Sequence, residues 1–117
     1  MSLPAEIVKA ISDHAIWKAR LRIAIEAGTS EYNVPDISAD YLCAFGKWLH
    51  SLPDEVKATA CWETVQELHA EFHLLAAQVL NLALNRQQEE ANEAMKSRST
   101  FVTVSSKLTQ AMLDWKV

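Results

Sequence analysis

Two glycines and three prolines in 117 residues leave this chain few places to turn. So few interrupters argue against a fold of many short strands and favour long helices. Cations are scarce too: Lys and Arg number 11 against 15 Asp and Glu, the formal charge is −4, and no basic run occurs. Without clustered Lys and Arg there is no surface suited to duplex phosphates, so no nucleic-acid partner is expected. The most apolar window, Leu74 to Leu84, is broken by Gln78 and Asn81 and is too short to span a bilayer. No charged-then-apolar leader opens the chain. The expectation is a soluble, cytoplasmic domain with no membrane insertion. Two cysteines in that setting are expected to be thiols or ligands rather than a structural disulfide. Paired carboxylates, a Ser/His/Asp order and a phosphate-binding glycine loop are all missing, so the chain is not expected to be an enzyme.

What is present is a core. Half of the residues are hydrophobic, enough for one folded unit over residues 1–117. From Ala5 to Ala27, Ile7, Ile11, His14, Leu21 and Ile25 follow the spacing of one buried helical stripe, and Gly28 is suited to end it. Thr29 to Ile37, with Asn33 and Pro35 and no periodicity, is expected as a loop. Ser38 is the expected N-cap of a short helix from Ala39 to about His50, rich in apolar side chains and holding Gly46. After Ser51-Leu52-Pro53, a long helix is expected from Asp54. It carries Val65, Leu68, Phe72, Leu75, Val79 and Leu82 on one stripe and His69, His73, Ala76 and Leu80 on the next. Unbroken to Met95 it would run about 60 Å, too long for this mass, so a break is expected near Asn85 to Gln88. A short polar helix over Glu89 to Lys96 follows. A last helix is expected to start at Ser97 or Ser99, with Phe101, Val104, Leu108, Met112 and Trp115 inward. Only Phe101 to Val104 is β-prone, and the fold class expected is all-α.

His69 and His73 stand four residues apart, which puts both rings on one helix face. By themselves the two would read as polar residues beside a core stripe, and a lone His14 as a satisfied core histidine. The first helix adds His14 and the second adds Cys43, both at apolar positions. Three imidazoles and a thiolate closing a tetrahedron inside a bundle are what zinc prefers. Cys61 lies about 12 Å along the axis from His69, and His50 about 10 Å from Cys43, so neither can share that ion. His50 is expected to be solvated and Cys61 to be a core or boundary thiol. Trp17 and Trp48 are expected as packing aromatics, and Asp13, Asp40 or Glu71 as acceptors for ligand N–H groups.

The segments His14-Ala15-Ile16-Trp17, Cys43-Ala44-Phe45-Gly46-Lys47-Trp48-Leu49 and His69-Ala70-Glu71-Phe72-His73 resemble the chemoreceptor zinc-binding domain. The resemblance implies an antiparallel four-helix bundle, to which the polar stretch Glu89 to Lys96 adds a short extra helix before the last one. It implies one Zn2+ held by His14, Cys43, His69 and His73. It further implies a homodimer and a regulatory role in bacterial chemoreceptors or diguanylate cyclases. Two rival readings are an iron-binding helical bundle, which would want Glu-x-x-His motifs that this chain lacks, and a metal-free dimerisation bundle.

Overall fold

The computed structural model describes residues 4–39 and 43–115. All regular structure in them is helical: α1 (Ala5–Ala27), α2 (Val34–Ser38), α3 (Ala44–Ser51), α4 (Asp54–Lys57), α5 (Ala60–Leu84), α6 (Gln88–Ala94) and α7 (Thr100–Asp114). Three long helices, α1, α5 and α7, frame the domain, and α5 touches all six of the others. Its 25 residues make about 37 Å of helix at 1.5 Å each, most of the 45 Å long dimension.

α1 ends as expected. Gly28 adopts φ 71°, and its N–H closes on the Ala24 carbonyl at 2.8 Å. Ile7, His14, Leu21 and Ile25 are buried and Ile11 half-buried, which matches the stripe. α5 differs in which side is deepest. His69, His73, Ala76 and Leu80 are buried together with Val65, Phe72 and Val79, while Leu68, Leu75 and Leu82 are only half-buried. The histidine stripe therefore faces the centre, because α1, α2 and α7 all pack on α5.

Three expected boundaries are corrected. Thr29 to Ile37 is not wholly loop: Asn33 caps α2, its Oδ1 accepting from the Asp36 N–H at 2.9 Å, with Pro35 in the first turn. Proline after asparagine serves here as a helix start. Ser38 is consequently the last residue of α2 and not an N-cap; its hydroxyl donates to the Pro35 carbonyl. The next helix begins at Ala44, not Ala39, whose backbone is extended. Asp40 and Leu42, expected within that helix, lie outside the described residues. Finally, the helix expected from Asp54 is interrupted. One turn, α4, stops at Lys57, and Thr59 caps α5 through its Oγ1 and the Trp62 N–H at 3.3 Å.

The break after Leu84 falls where the apolar run ends. Gln87 N–H reaches the Leu82 carbonyl at 2.9 Å and Arg86 N–H the Ala83 carbonyl at 3.1 Å. That pair of bonds is a Schellman closure, whose left-handed position is here Arg86 at φ 59° rather than glycine. Ser99 caps α7, and Phe101, Val104, Leu108, Met112 and Trp115 are buried. A non-glycine residue in the left-handed region costs about 1–2 kcal/mol. Arg86→Gly should therefore stabilise the domain by a net ~0.5 kcal/mol, once the added freedom of the unfolded chain is subtracted. A higher urea midpoint with an unchanged slope is the expected reading.

Candidate metal centre

Each of four side chains reaches the middle of the domain from a different local setting. His14 projects from the interior of α1. Cys43 is the N-cap of α3, its sulfur accepting the Gly46 N–H at 3.3 Å. His69 and His73 stand one turn apart on α5. One donor atom from each lies within 4.8 Å of all the others. Cys43 Sγ is 3.3 Å from His69 Nε2, and His69 Nε2 is 3.1 Å from His73 Nε2. Zinc bonds of 2.0–2.1 Å to nitrogen and 2.3 Å to sulfur put neighbouring donors roughly 3.3–3.7 Å apart in a tetrahedron. The close pairs already have about that separation, and the widest need close by only about 1 Å. The donor set and its spacing fit zinc.

Protonation favours the same reading. His73 Nδ1–H donates to the Ile37 carbonyl on α2 at 2.9 Å. That bond selects the tautomer whose Nε2 carries a lone pair, directed at His69 and the cluster. Burial, followed by the charge that would sit on His73, pushes His14 down from 6.5 to about 4. Burial also pushes His69 down to about 2, with further contributions from His73, His14 and His50. Neutral imidazoles are the metal-binding form. His14 Nδ1 is buried without a well-formed hydrogen bond, although the Ala10 carbonyl one turn earlier raises its basicity somewhat.

Aromatic rings wall the cluster. Phe45 sets an edge against His69 at 5.1 Å and His14 at 6.1 Å between centroids. Phe72 meets His14 at 4.7 Å and His73 at 5.8 Å, and leans on Phe101 of α7. Trp48 stacks on Phe45 and meets Trp115, so it supports the wall from behind. Trp17 packs against Tyr32 at 4.8 Å, with the Arg20 guanidinium 5.0 Å above its ring.

All four expected ligand residues meet. His50 is exposed and beside Trp62, outside the cluster. Cys61 is also outside it but is not a core or boundary thiol. It is exposed, lining an open groove between α5 and α7 where Ala60 and Ala111 leave space. Of the carboxylates, Glu71 is exposed and Asp40 lies outside the described residues. Asp13 pairs with Lys9 at 2.6 Å and lends its charge to His14. The acceptor that orients His73 is the Ile37 carbonyl, a backbone group that residue type does not signal.

Three buried histidines inside helices, joined by a half-buried cysteine at a helix start, define a helical metal-binding domain of the zinc type. The family model of the chemoreceptor zinc-binding domain matches residues 14–80, more than half of the chain and a span that holds all four clustered residues. The chain belongs to that family. No curated protein and no solved structure matches it.

Purified protein should carry about one zinc per chain, since four protein ligands complete one tetrahedron. By elemental analysis, Cys43→Ala should lose most of it, while Cys61→Ala and His50→Ala keep it. A loss on Cys61→Ala equal to that on Cys43→Ala would refute the ligand assignment.

Proposed function

We propose that this chain is a zinc-dependent regulatory domain with no catalysis of its own. In this reading it controls a bacterial signalling output, chemotaxis or cyclic-di-GMP synthesis, from the cytoplasm. The observation that carries it is the meeting of His14, Cys43, His69 and His73 within 4.8 Å, walled by aromatic rings. Four protein donors leave no position for substrate, which disfavours a hydrolase. Bound there, zinc would supply charge and a cross-link among α1, α3 and α5. An iron carboxylate bundle is disfavoured because the cluster contains no carboxylate. A metal-free bundle is disfavoured because it would leave three imidazoles and a thiol in its centre without a purpose.

The switch we propose is zinc occupancy, with Cys43 as its chemical handle. With zinc bound, Cys43 would be ligand and N-cap at once, and the metal would hold it as thiolate beside the Gly46 N–H and the positive end of α3. The thiolate is the form that oxidants attack. A sulfenic acid would no longer supply the single anionic donor. The start of α3 would then lose its cap and its tie to His69 together, leaving the Trp62 indole N–H on the Leu49 carbonyl as the polar link between α3 and α5. The frame of α1, α5 and α7 rests on apolar packing and should persist, unlike a zinc finger.

The architecture we infer is the family's antiparallel four-helix bundle, working as a homodimer next to a chemoreceptor or diguanylate cyclase module. Support for the dimer comes from the family's receptors and cyclases, and from Val8, Ile16, Ile23, Leu74 and Leu113, which stay exposed. Light scattering at micromolar concentration should give twice the chain mass.

Chelation or a mild oxidant should speed amide exchange in residues 44–51 by at least about tenfold, while far-ultraviolet helicity changes little. Exchange in α3 as slow as in the zinc-bound form would make the metal merely structural.

A further inference from the structure

Resting on the zinc reading above, we propose that Asp13 is the relay carboxylate through which zinc enters and leaves the centre, along the cleft that α1 forms with the start of α3. A cleft of about 260 Å³ is lined by His14, Cys43 and His73, three of the four clustered residues. His69 does not line it and is fully buried behind them. Three of the four clustered residues thus share the wall of one open cleft. A four-ligand site has no vacant position, so exchange needs an incoming donor to hold the ion as another lets go.

The cleft lining contains Lys9, Asp13 and Arg20 as its charged groups. Among the described residues Asp13 is the sole carboxylate of that lining, and it is next to His14 in the chain. Carboxylate oxygen binds zinc at about 2.0–2.2 Å, within the same bond range as histidine nitrogen. Asp13 is also restrained. Its Oδ2 lies 2.6 Å from Lys9 Nζ, one turn away on α1, with the two side chains 45% and 67% exposed. An exposed pair at this helical spacing is weak, so it opens readily. Lys9 thus holds the carboxylate at the mouth between transfers without committing it. The two outer cations disfavour a divalent ion at the mouth, and Asp13 offsets that barrier. Asp13 is in this account a positioning residue for exchange and not a fifth ligand of the resting site.

The test is a pair of rates and an equilibrium. Zinc release from the loaded protein is followed into excess of a neutral polypyridyl chelator, whose lack of charge removes direct attraction or repulsion by the variants. Uptake by the metal-free protein is followed by tryptophan fluorescence, and affinity by competition with the same chelator. Asp13→Asn should slow uptake and release together by about tenfold, the lower end of what an outer-shell partner commands, and leave the affinity within about threefold. Lys9→Gln should speed both, and Asp13→Glu should restore most of the rate. Unchanged rates in Asp13→Asn with zinc still bound would overturn the relay. So would an affinity that falls in step with the release rate, because Asp13 would then stabilise the bound state. Wild-type protein that binds no zinc would overturn the metal-centre reading itself, and the relay with it.

Discussion

Everything else in the domain is arranged around three buried imidazoles and a half-buried thiol gathered at one point. A buried polar group left without a partner costs about 1–3 kcal/mol, and a domain of this kind has only about 5–15 kcal/mol of net stability. Three imidazoles and a thiol crowded at one point must therefore be satisfied together. Hydrogen bonds meet part of the need: Ile37 takes the His73 proton, and Gly46 gives one to the Cys43 sulfur. Burial does the rest by keeping His14 and His69 in the neutral form. These are the conditions a cation requires, and a cation at the centre satisfies the remaining lone pairs at once.

That constraint explains the asymmetry of α5. A helix contacted on several sides needs apolar residues over most of its girth, and α5 has them. The histidine stripe could have been the lesser face, as a count of large apolar residues suggests. It is the deeper one, with His69 fully buried and Leu68, Leu75 and Leu82 only partly covered. Phe72 and Phe45 close the gaps between rings, and through Phe101 and Trp115 the wall continues into α7. The last helix contributes no donor, yet it holds the aromatic residues that hold the donors.

How much of this was legible in the sequence depended on what kind of signal each feature leaves. Ligand residues are signalled by side-chain type and spacing, so His14, Cys43, His69 and His73 could be read before any fold was known. Helix ends with glycine or a clear change of composition were legible too, as at Gly28 and after Leu84. Caps were harder. Asn33 before Pro35 can open a helix or punctuate a loop, and Thr59 inside a helix-like run gives no outward sign that it divides α4 from α5. The Ile37 carbonyl could not be read at all, because every residue has one and only the tertiary placement of α2 aims it at His73. Cys61 misled because a thiol on an apolar helix is most often buried, whereas the groove between α5 and α7 leaves it open.

The same geometry decides which parts of the domain can respond to the metal. α1 and α5 carry donors in their interiors, where flanking turns and long apolar stripes hold the backbone whatever the donors bind. α3 is different. Its donor is its cap, so the atom that would bind zinc also satisfies the backbone of its own first turn. α2 is tied through the Ile37 carbonyl, at the outer end of His73 rather than at the ion. A change at the centre therefore reaches α3 directly and α2 through one imidazole ring. In the switch proposed above, the long helices would be the frame against which those two short elements move. Short helices docked on a rigid frame are where a few kcal/mol of binding energy can alter shape without unfolding the domain, and the Trp62 indole N–H, donating to the Leu49 carbonyl at 3.0 Å, keeps the far end of α3 on α5 as its start responds. The location of Cys43, at a helix start rather than within a helix, is thus what makes this centre suited to signalling and not only to stability.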